Sequence, residues 1–232
     1  DHNAALLAEL PCTDRYCGNF ISTDQFEIIL NKVKNTDLYT PVFLAGTMGF
    51  RRSEVLGLRW SDINFETQTM CIQHTVVKCI KDHKITLMFS DVPKTRASRR
   101  TLPLPSGVLR YLKELRRRQC DNYTAHRDKY SREYLKYICV DDMGLIVKPD
   151  DLSVGFGRIM AEMNFHCRFH DLRHTCASLL VQHGVELKSV SIWLGHSSIA
   201  VTSDIYTHLT YREKLKVAET IDEYMKDVNV SP

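Results

Sequence analysis

Several features that would assign this 232-residue chain to a specialised class of protein are missing from it. There is no run of about 18 apolar residues, so no membrane-spanning helix is expected. The N-terminal stretch DHNAALLAEL has neither a basic region nor a long apolar core, which argues against a signal peptide. The chain begins at Asp1 rather than Met, and this indicates a fragment of a longer protein.

The eight cysteines form no CxxC pair, and several of them lie in apolar segments. In a chain of this size, that pattern favours reduced, mostly buried thiols over a disulfide framework. The expected location is therefore the cytoplasm. With 44% hydrophobic and 25% charged residues, the composition is that of an ordinary globular protein.

A strong charge imbalance is also absent, because a net charge of +3 is too small to indicate a nucleic-acid partner by itself. The positive charge is instead clustered, in Arg51-Arg52, in KTRASRR at 94–100 and in ELRRR at 114–118. Such clusters indicate either contact with nucleic acid or a solvated surface. For 114–118, a solvated surface is the simpler interpretation.

Apolar periodicity predicts a mainly α-helical protein with one small antiparallel β-sheet. The sheet is expected from three short segments, TMCIQHTVV, KITLMFS and RRTLPL, with DVPKTRAS connecting the second strand to the third. A capping box in STDQ marks the start of the first helix. Helices are predicted over about 23–35, 41–49, 53–60, 151–163, 171–183, 186–194, 198–206 and 211–226, with a further one from Ser106 and an irregular insertion at 120–137.

The segment HCRFHDLRHTC concentrates histidine and arginine near a predicted helix start. Its histidines, His166, His170 and His174, recur every four residues, which is one pattern of a metal site. However, HExxH is absent, no acidic residue sits in the ligand pattern, and Arg168 and Arg173 would repel a cation. No metal site is therefore expected.

An anion site explains the same segment better. With a helix starting near residue 170, His170 and Arg173 stand on one face of the first turn, where free N–H groups and the helix dipole favour negative charge. The planar fork of arginine also matches a phosphate. The alternative is that Arg173 pairs with a buried carboxylate, and the segment alone leaves this open.

Three other segments supply polar side chains that suit the same chemistry. GFRRSEVLGLRWSDI places Arg51 just after a helix break, and PKTRASRRTLPL places Lys94 in a strand connection. LGHSSIAVTSDIYTH places His196 at a helix entry and Tyr206 about three turns later. Alone, each residue has a structural explanation as surface charge, turn, cap or core. Together with HDLRHT they make a set of two arginines, one lysine, two histidines and one tyrosine.

Taken in chain order, this set resembles the active-site motifs of the tyrosine recombinases, the phage integrase family. The family's first-arginine box corresponds to GFRRSEVLGLRWSD, its lysine motif to KTRASRRTLP, and its histidine–arginine motif to HDLRHT. LGH followed by YTH corresponds to the last motif. Phe50 and Ser203 depart slightly from the usual residues at their positions. The resemblance covers about residues 20–226.

The resemblance implies the fold of a DNA breaking-rejoining catalytic domain over 20–232, with a C-terminal helix at 211–226. Residues 1–19 are then a linker or the tail of a missing N-terminal DNA-binding region. The insertion at 120–140 is most similar to integrases of phages and conjugative transposons. The implied function is site-specific DNA recombination, in which strands are cleaved and rejoined through a 3′-phosphotyrosine intermediate to integrate or excise a mobile element.

The implied catalytic set works without a metal or any other cofactor. Arg51 and Arg173 would clamp the scissile phosphate and stabilise its negative charge. Tyr206 would be the nucleophile, and His170 is the candidate to accept its proton. Lys94 would protonate the departing 5′-oxygen. The last member of the set is His196, which would hydrogen-bond the phosphate.

Other polar residues near these motifs receive supporting roles. The side chains predicted to contact the DNA backbone are Arg52, Arg96, Arg99 and Arg100. Such contacts would make affinity fall steeply with salt. The side chains predicted to support the turn at Arg51 are Glu54, Trp60 and Asp62.

The implied partner is double-stranded DNA with specific recombination sites, bound by a homotetramer in the synaptic complex. Accessory DNA-bending or excision factors are further candidates. The predicted helix at 211–226 carries an apolar stripe, which packs either on its own domain or on a neighbouring protomer, and the sequence leaves both open. Acting on a bacterial chromosome, the protein would be cytoplasmic.

Three alternative functions would give the same residues different roles. A type IB topoisomerase uses a similar tyrosine and arginine set to relax supercoils. A DNA-binding regulator of the same fold would have lost the chemistry, although every expected catalytic residue is present here. A zinc protein would use the histidines of HCRFHDLRHTC as ligands.

Overall fold

The computed structural model describes residues 21–91 and 99–195. Within these ranges the helices are α1 Thr23–Val33, α2 Tyr39–Met48, α3 Arg52–Gly57, α4 Ser106–Ala125, α5 Pro149–Glu162, α6 Asp171–Gln182 and α7 Leu187–Leu194. The strands are β1 Ile63–Asn64, β2 Thr69–Ile72, β3 Thr75–Lys81, β4 Lys84–Ser90 and β5 Arg100–Pro103, and a 3₁₀ turn spans Trp60–Asp62. The mainly helical architecture with small antiparallel sheets is confirmed.

The capping box predicted for the first helix is present. The backbone N–H of Gln25 donates to Ser22 Oγ at 3.1 Å, and the backbone N–H of Ser22 donates to Gln25 Oε1 at 2.9 Å. These bonds satisfy two N–H groups that have no partner within a helix. The apolar positions Phe26, Ile29 and Val33 are buried, as their spacing predicts.

The prediction of one three-strand sheet is wrong in its pairing. TMCIQHTVV is not one strand, because it breaks between Ile72 and Thr75 into β2 and β3. Strand β2 pairs with β1 and β5, whereas β3 pairs only with β4 in a separate sheet among the described residues. His74 lies at the break, buried, with its Nδ1 2.8 Å from Asp91 Oδ1 and its Nε2 3.1 Å from Tyr137 Oη.

The expected irregular insertion at 120–137 is also partly wrong, because α4 continues through the first part of it to Ala125. The apolar face predicted for this helix is confirmed by the burial of Val108, Leu109, Leu112 and Leu115. Beyond this face α4 is polar and solvated, with Arg117 paired to Glu114 and Asp121. A polar composition therefore did not distinguish an exposed helix from a loop.

The core is formed by α1 to α5, the start of α6 and the inner face of the three-strand sheet. A smaller apolar cluster of Ala177, Val181, Val190 and Leu194 joins α6 to α7. Both helices lie close to the predicted bounds, and α7 ends at Gly195 in a left-handed conformation, φ 70°. Among the residues described, no helix is long and apolar enough to cross a membrane.

Candidate active site

The first element of the site is the break between α2 and α3. Helix α2 ends at Gly49, which has φ 72° and donates its N–H to the carbonyl of Ala45 at 3.0 Å. A Cβ at this position would lie 2.2 Å from Leu194 Cδ2, so glycine is required both for the backbone angle and for the space. Two residues later, Arg51 stands directly before the first turn of α3.

The acid of the same motif, Glu54, orients Arg51 through two contacts. The backbone N–H of Arg51 donates to Glu54 Oε2 at 3.0 Å, and Arg51 Nη1 donates to Glu54 Oε1 at 2.7 Å. The Glu54 side chain is only 3% exposed, whereas that of Arg51 is 33% exposed. The buried carboxylate therefore holds an arginine whose guanidinium still reaches solvent.

Two further arginines surround the same carboxylate. Arg100 Nη1 and Nη2 donate to Glu54 Oε1 and Oε2 at 3.2 and 3.1 Å, and Arg173 Nη1 lies 3.9 Å from Glu54 Oε2. We call Arg51, Arg100 and Arg173 around Glu54 the arginine cluster. Burial raises the pKa of Glu54, but the charges of Arg100 and Arg51 outweigh it and leave the pKa below its usual value. Three guanidinium groups thus meet one ionised carboxylate.

Arg173 lies on α6 and is almost fully buried, 2% exposed. Its Nη1 donates to the carbonyl of Gly49 at 2.7 Å, and its Nη2 donates to the carbonyl of Leu194 at 2.8 Å. Burial and the nearby charge of Arg51 lower the pKa of Arg173 to about 9, which leaves it charged at neutral pH. This residue therefore fixes the loop before Arg51 and the end of α7 relative to α6.

His170 precedes α6 and lies beside the cluster. Partial desolvation and the neighbouring His174 and Arg173 lower the pKa of His170 to about 4. Its ring meets that of His174 edge to face, with centroids 5.2 Å apart. At neutral pH the imidazole is uncharged, so one ring nitrogen is able to accept a proton.

Besides the break between α2 and α3 and the start of α6, the C-terminal turn of α7 forms part of the site. Its last carbonyls, those of Trp193, Leu194 and Gly195, accept hydrogen bonds from Arg100 Nε at 2.7 Å, Arg173 Nη2 at 2.8 Å and Arg51 Nη2 at 2.9 Å, respectively. The C-terminus of a helix carries partial negative charge and unpaired carbonyls, both of which stabilise cations. All three arginines therefore converge on one helix end.

The structure thus brings together three of the six predicted catalytic residues, Arg51, His170 and Arg173. The others, Lys94, His196 and Tyr206, lie outside the described residues, as do Arg96 and the predicted helix at 211–226. His196 follows Gly195 directly in the sequence, and Gly195 is the residue whose carbonyl binds Arg51. The catalytic roles of all six residues stay predictions.

Two of the arginines predicted to contact DNA are exposed, and one is not. Arg52 is exposed and donates to the carbonyl of Pro149 and the hydroxyl of Ser153 on α5. Arg99 is exposed and donates to Gln73 Oε1 at 3.1 Å. In contrast, the Arg100 side chain is only 8% exposed, because its guanidinium is turned inward to Glu54.

The inward orientation of Arg100 had a signal in the sequence. In the segment RRTLPL, Leu102 and Leu104 are the buried positions, and Arg100 is two residues before Leu102. Because side chains alternate between the two faces of a strand, Arg100 shares the inner face with Leu102. The clustering of arginines in the sequence indicated contact with DNA or solvent, whereas the alternation indicates burial.

Of the three residues predicted to support the turn at Arg51, Glu54 does so directly, through its two bonds to Arg51. Asp62 instead accepts from the backbone N–H of Arg59 at 2.9 Å and from Gln73 Nε2 at 2.8 Å. Trp60 Nε1 donates to Gln119 on α4 at 3.0 Å. Asp62 and Trp60 therefore join the following turn to the β2–β3 connection and to α4.

One alternative makes the histidines of HCRFHDLRHTC the ligands of a metal centre. In the part of the chain that the structure describes, no group of three or more His, Cys, Asp or Glu side chains is placed to hold a metal ion. Asp171 lies in the same segment but is fully buried, and it accepts from the backbone N–H of Arg168 at 2.8 Å.

Comparison with known proteins adds an independent finding. The model of the phage integrase family matches residues 19–213. A tyrosine recombinase XerC-like protein of Caldanaerobacter subterraneus subsp. tengcongensis is 32% identical over 87% of this chain and 53% of its own length. The transposase of transposon Tn916 from Enterococcus faecalis is 24% identical over 75% of this chain and 42% of its own length. The chain spans about half the length of these relatives.

Several solved structures with the same fold contain DNA. The Tn1549 transposon integrase in complex with transposon right end DNA has a TM-score of 0.71 at 19% identity, over 96% of this chain and 71% of its own. A lambda integrase tetramer bound to a Holliday junction has a TM-score of 0.62 at 15% identity, over 88% and 52%. At these identities the similarity establishes the fold.

Proposed function

The chain belongs to the phage integrase family, and from that premise we propose that it carries the strand-cleaving domain of a site-specific DNA recombinase, the integrase of a mobile element. The observation that supports this most strongly is the arginine cluster with His170 beside it. A preorganised group of three cations around one carboxylate favours binding of an anion such as a DNA phosphate. Residues 20–232 are proposed as this domain.

The arginines perform the electrostatic part of the reaction. During phosphoryl transfer, negative charge on the non-bridging oxygens must be stabilised, and many enzymes use Mg²⁺ for this purpose. Arg51 is partly exposed and held by Glu54 and Gly195, and we propose that it contacts the phosphate directly. Arg173 is more deeply buried and fixes the surrounding backbone, so we propose that it adds positive potential to the clamp on the phosphate.

The proposed nucleophile is Tyr206. At neutral pH only about one tyrosine in a thousand is ionised, which is a penalty of roughly 4 kcal/mol. The positive potential of the arginine cluster offsets part of this penalty. His170, uncharged at neutral pH, accepts the phenolic proton as the Oη–P bond forms.

The proposed chemistry conserves the energy of the DNA phosphodiester linkage, because one phosphodiester is exchanged for another. As the bond from Tyr206 Oη to phosphorus forms, the bond to the 5′-oxygen breaks, and Lys94 donates a proton to that oxygen. His196 donates a hydrogen bond to the phosphate. The phosphotyrosine diester retains the energy of the broken linkage, so the 5′-hydroxyl of a second strand reverses the step without ATP or a metal ion.

The proposed partner is double-stranded DNA with specific recombination sites. The lambda integrase structure is a tetramer on a Holliday junction, and a homotetramer in the synaptic complex is proposed here by analogy. The helix predicted at 211–226 is a candidate contact between protomers, and accessory DNA-bending or excision factors remain candidates. A cytoplasmic location follows from this role.

A nicked suicide duplex carrying candidate junction sequences of the parent element tests the proposal. The chain and its Tyr206→Phe variant are incubated with the duplex in EDTA, and covalent adducts are separated under denaturing conditions. We expect an adduct with the parent chain and none with the variant. An adduct that persists in the variant would place the nucleophile elsewhere. If a supercoiled plasmid without recombination sites is relaxed as fast as one that carries them, the activity is that of a topoisomerase instead.

A further inference from the structure

Arg100 makes contacts to two parts of the site that come from distant parts of the sequence. Its Nη1 and Nη2 bind both oxygens of Glu54 at 3.2 and 3.1 Å, and its Nε binds the carbonyl of Trp193 at 2.7 Å. Its guanidinium also lies over the ring of Phe50, 5.8 Å from the centroid. One side chain on β5 is therefore bonded to α3 and to the end of α7.

These contacts make Arg100 a partner of Arg51 through a shared acceptor. Glu54 Oε1 accepts from the Nη1 atoms of both arginines, and Glu54 Oε2 accepts from the backbone of Arg51 and from Arg100 Nη2. A carboxylate bound bidentately by a planar guanidinium has a fixed orientation. Without Arg100, the Glu54 carboxylate would keep its bonds to Arg51 but lose the bidentate partner that fixes its orientation, so Arg51 would be held less firmly.

The same contacts connect Arg51 to α7. Arg100 binds the carbonyl of Trp193, and Arg51 binds the carbonyl of Gly195 two residues later. Trp193 is itself anchored, because its Nε1 donates to the carbonyl of Met48 at 3.1 Å. Arg51 and Arg100 therefore both connect Glu54 to the end of α7. Arg100 thus helps to fix the distance that Arg51 spans.

We propose that Arg100 is a positioning residue for strand cleavage, which holds Glu54 and the C-terminal turn of α7 so that Arg51 points to the scissile phosphate. This proposal rests on the proposed function. It replaces the interpretation of Arg100 as a DNA-backbone contact, since the protein itself leaves only 8% of its side chain exposed. Arg99, the exposed neighbour in the sequence, keeps that interpretation.

Two readouts distinguish a positioning arginine from one that contacts a phosphate. Removing a side chain that neutralises a DNA phosphate changes the salt dependence of binding, by roughly 0.9 in the slope of log K against log salt for each phosphate. A positioning residue leaves that slope unchanged and lowers the rate of adduct formation at saturating DNA. Binding is measured on intact duplex, and adduct formation on the suicide duplex in a single turnover.

The variants are Arg100→Gln and Arg100→Lys, with Arg99→Gln as the phosphate-contact comparison. Arg117→Gln is the matched charge control, because Arg117 is exposed on α4 and paired with Glu114 and Asp121. For both Arg100 variants we expect an unchanged salt slope and an adduct rate at least tenfold lower. Lysine keeps the charge and the stem but not the fork, so it tests orientation in a variant that is expected to fold.

Arg99→Gln is expected to reduce the slope, and Arg117→Gln to change neither quantity. The proposal is overturned if Arg100→Gln reduces the slope by about 0.9 while the saturating rate is retained, or if folded Arg100→Lys cleaves as fast as the parent chain. Thermal unfolding of each variant shows which ones are folded. If the parent chain forms no adduct, the proposed function fails and this inference fails with it.

Discussion

Two turns within GFRRSEVLGLRWSDI are built on the same local contact and have different surroundings. In the first, the backbone N–H of Arg51 donates to Glu54 at 3.0 Å, and in the second the backbone N–H of Arg59 donates to Asp62 at 2.9 Å. In both, the arginine side chain also bonds the acid three residues later. Each arginine thus precedes a helical turn that its acid caps.

The surroundings of the two acids differ in charge. Around Glu54, two more arginines approach, and the carbonyls of α7 complete the site. Around Asp62, the additional donor is the neutral amide of Gln73, and Arg59 continues to a second carboxylate, Asp91, at 2.9 Å. The first turn therefore carries an excess of positive charge, whereas the charges of the second are balanced or negative. The local motif provides the cap, and the tertiary partners decide whether it binds an anion.

The largest expected effect comes from removing the acid at each turn. Glu54→Gln leaves three buried or partly buried guanidinium groups without their carboxylate, so we expect a loss of about 3–5 kcal/mol in the free energy of unfolding. We also expect adduct formation to fall at least a hundredfold, since Arg51 loses its orientation. Denaturant unfolding and single-turnover cleavage measure the two quantities.

Asp62→Asn is the matched variant at the second turn. The amide keeps an oxygen for the N–H of Arg59, so the expected destabilisation is smaller, about 1–2 kcal/mol, and cleavage by the folded protein changes little. Equal losses of cleavage at the two turns would contradict the distinction between an anion site and a structural contact.

A second, smaller effect tests the backbone at the entry to each turn. The first turn follows Gly49 in a left-handed conformation, whereas the second follows Leu58, whose backbone is extended, φ −62° and ψ 133°. Gly49→Ala adds left-handed strain and a contact of 2.2 Å to Leu194 Cδ2, for which we expect about 2–4 kcal/mol of destabilisation.

A double-mutant cycle with Leu194→Ala separates the two causes. Removing the leucine methyls relieves the clash but not the backbone strain, so the double variant should be more stable than the sum of the single effects predicts. Strict additivity would show that the contact with Leu194 does not contribute to the destabilisation caused by Gly49→Ala. The unfolding free energies of the four proteins measure this coupling.

Much of the fold could be predicted because it depends on local signals. The capping box at Ser22, the left-handed glycines that end α2 and α7, and the apolar face of α4 are all written in short stretches of sequence. The strand break at His74 could not be predicted in this way. His74, the residue at the break, is buried and contacts partners 17 and 63 residues away, and no neighbouring residue in the sequence indicates these contacts.

The same distinction between local signals and distant contacts applies to the site. The motifs predicted that Arg51, His170 and Arg173 come together. In the structure, Arg51 and Arg173 both bind the C-terminal turn of α7, and His170 lies beside these arginines. The role of Arg100 depends on Glu54, which lies 46 residues earlier, and on a carbonyl 93 residues later. Alternation along β5 marked Arg100 as inward, but only the tertiary structure identifies which groups it meets there.

The smallest expected effect is on the pH dependence of stability. It compares His170, which lies beside the first turn, with Asp91, which contacts the second. His170 is solvent-exposed, but partial desolvation and the neighbouring His174 and Arg173 hold its pKa at about 4 in the folded protein, against about 6.5 in an unfolded chain. Because solvent screens an exposed group, the corresponding effect on stability is small. Between these values the unfolded state binds more protons, so the contribution of His170 to stability is present above pH 6.5 and is lost as the pH falls toward 4. His170→Gln should therefore flatten the fall in melting temperature between pH 6.5 and 4.5.

Asp91→Asn is the comparison at the second turn. Hydrogen bonding from His74 and the charge of Arg59 lower the pKa of Asp91, so the contribution of this carboxylate is lost only at still lower pH. The variant should leave the slope of melting temperature against pH unchanged in the window where His170→Gln flattens it. Parallel melting curves for His170→Gln and the parent chain would show that the cationic surroundings of the first turn do not act on this imidazole.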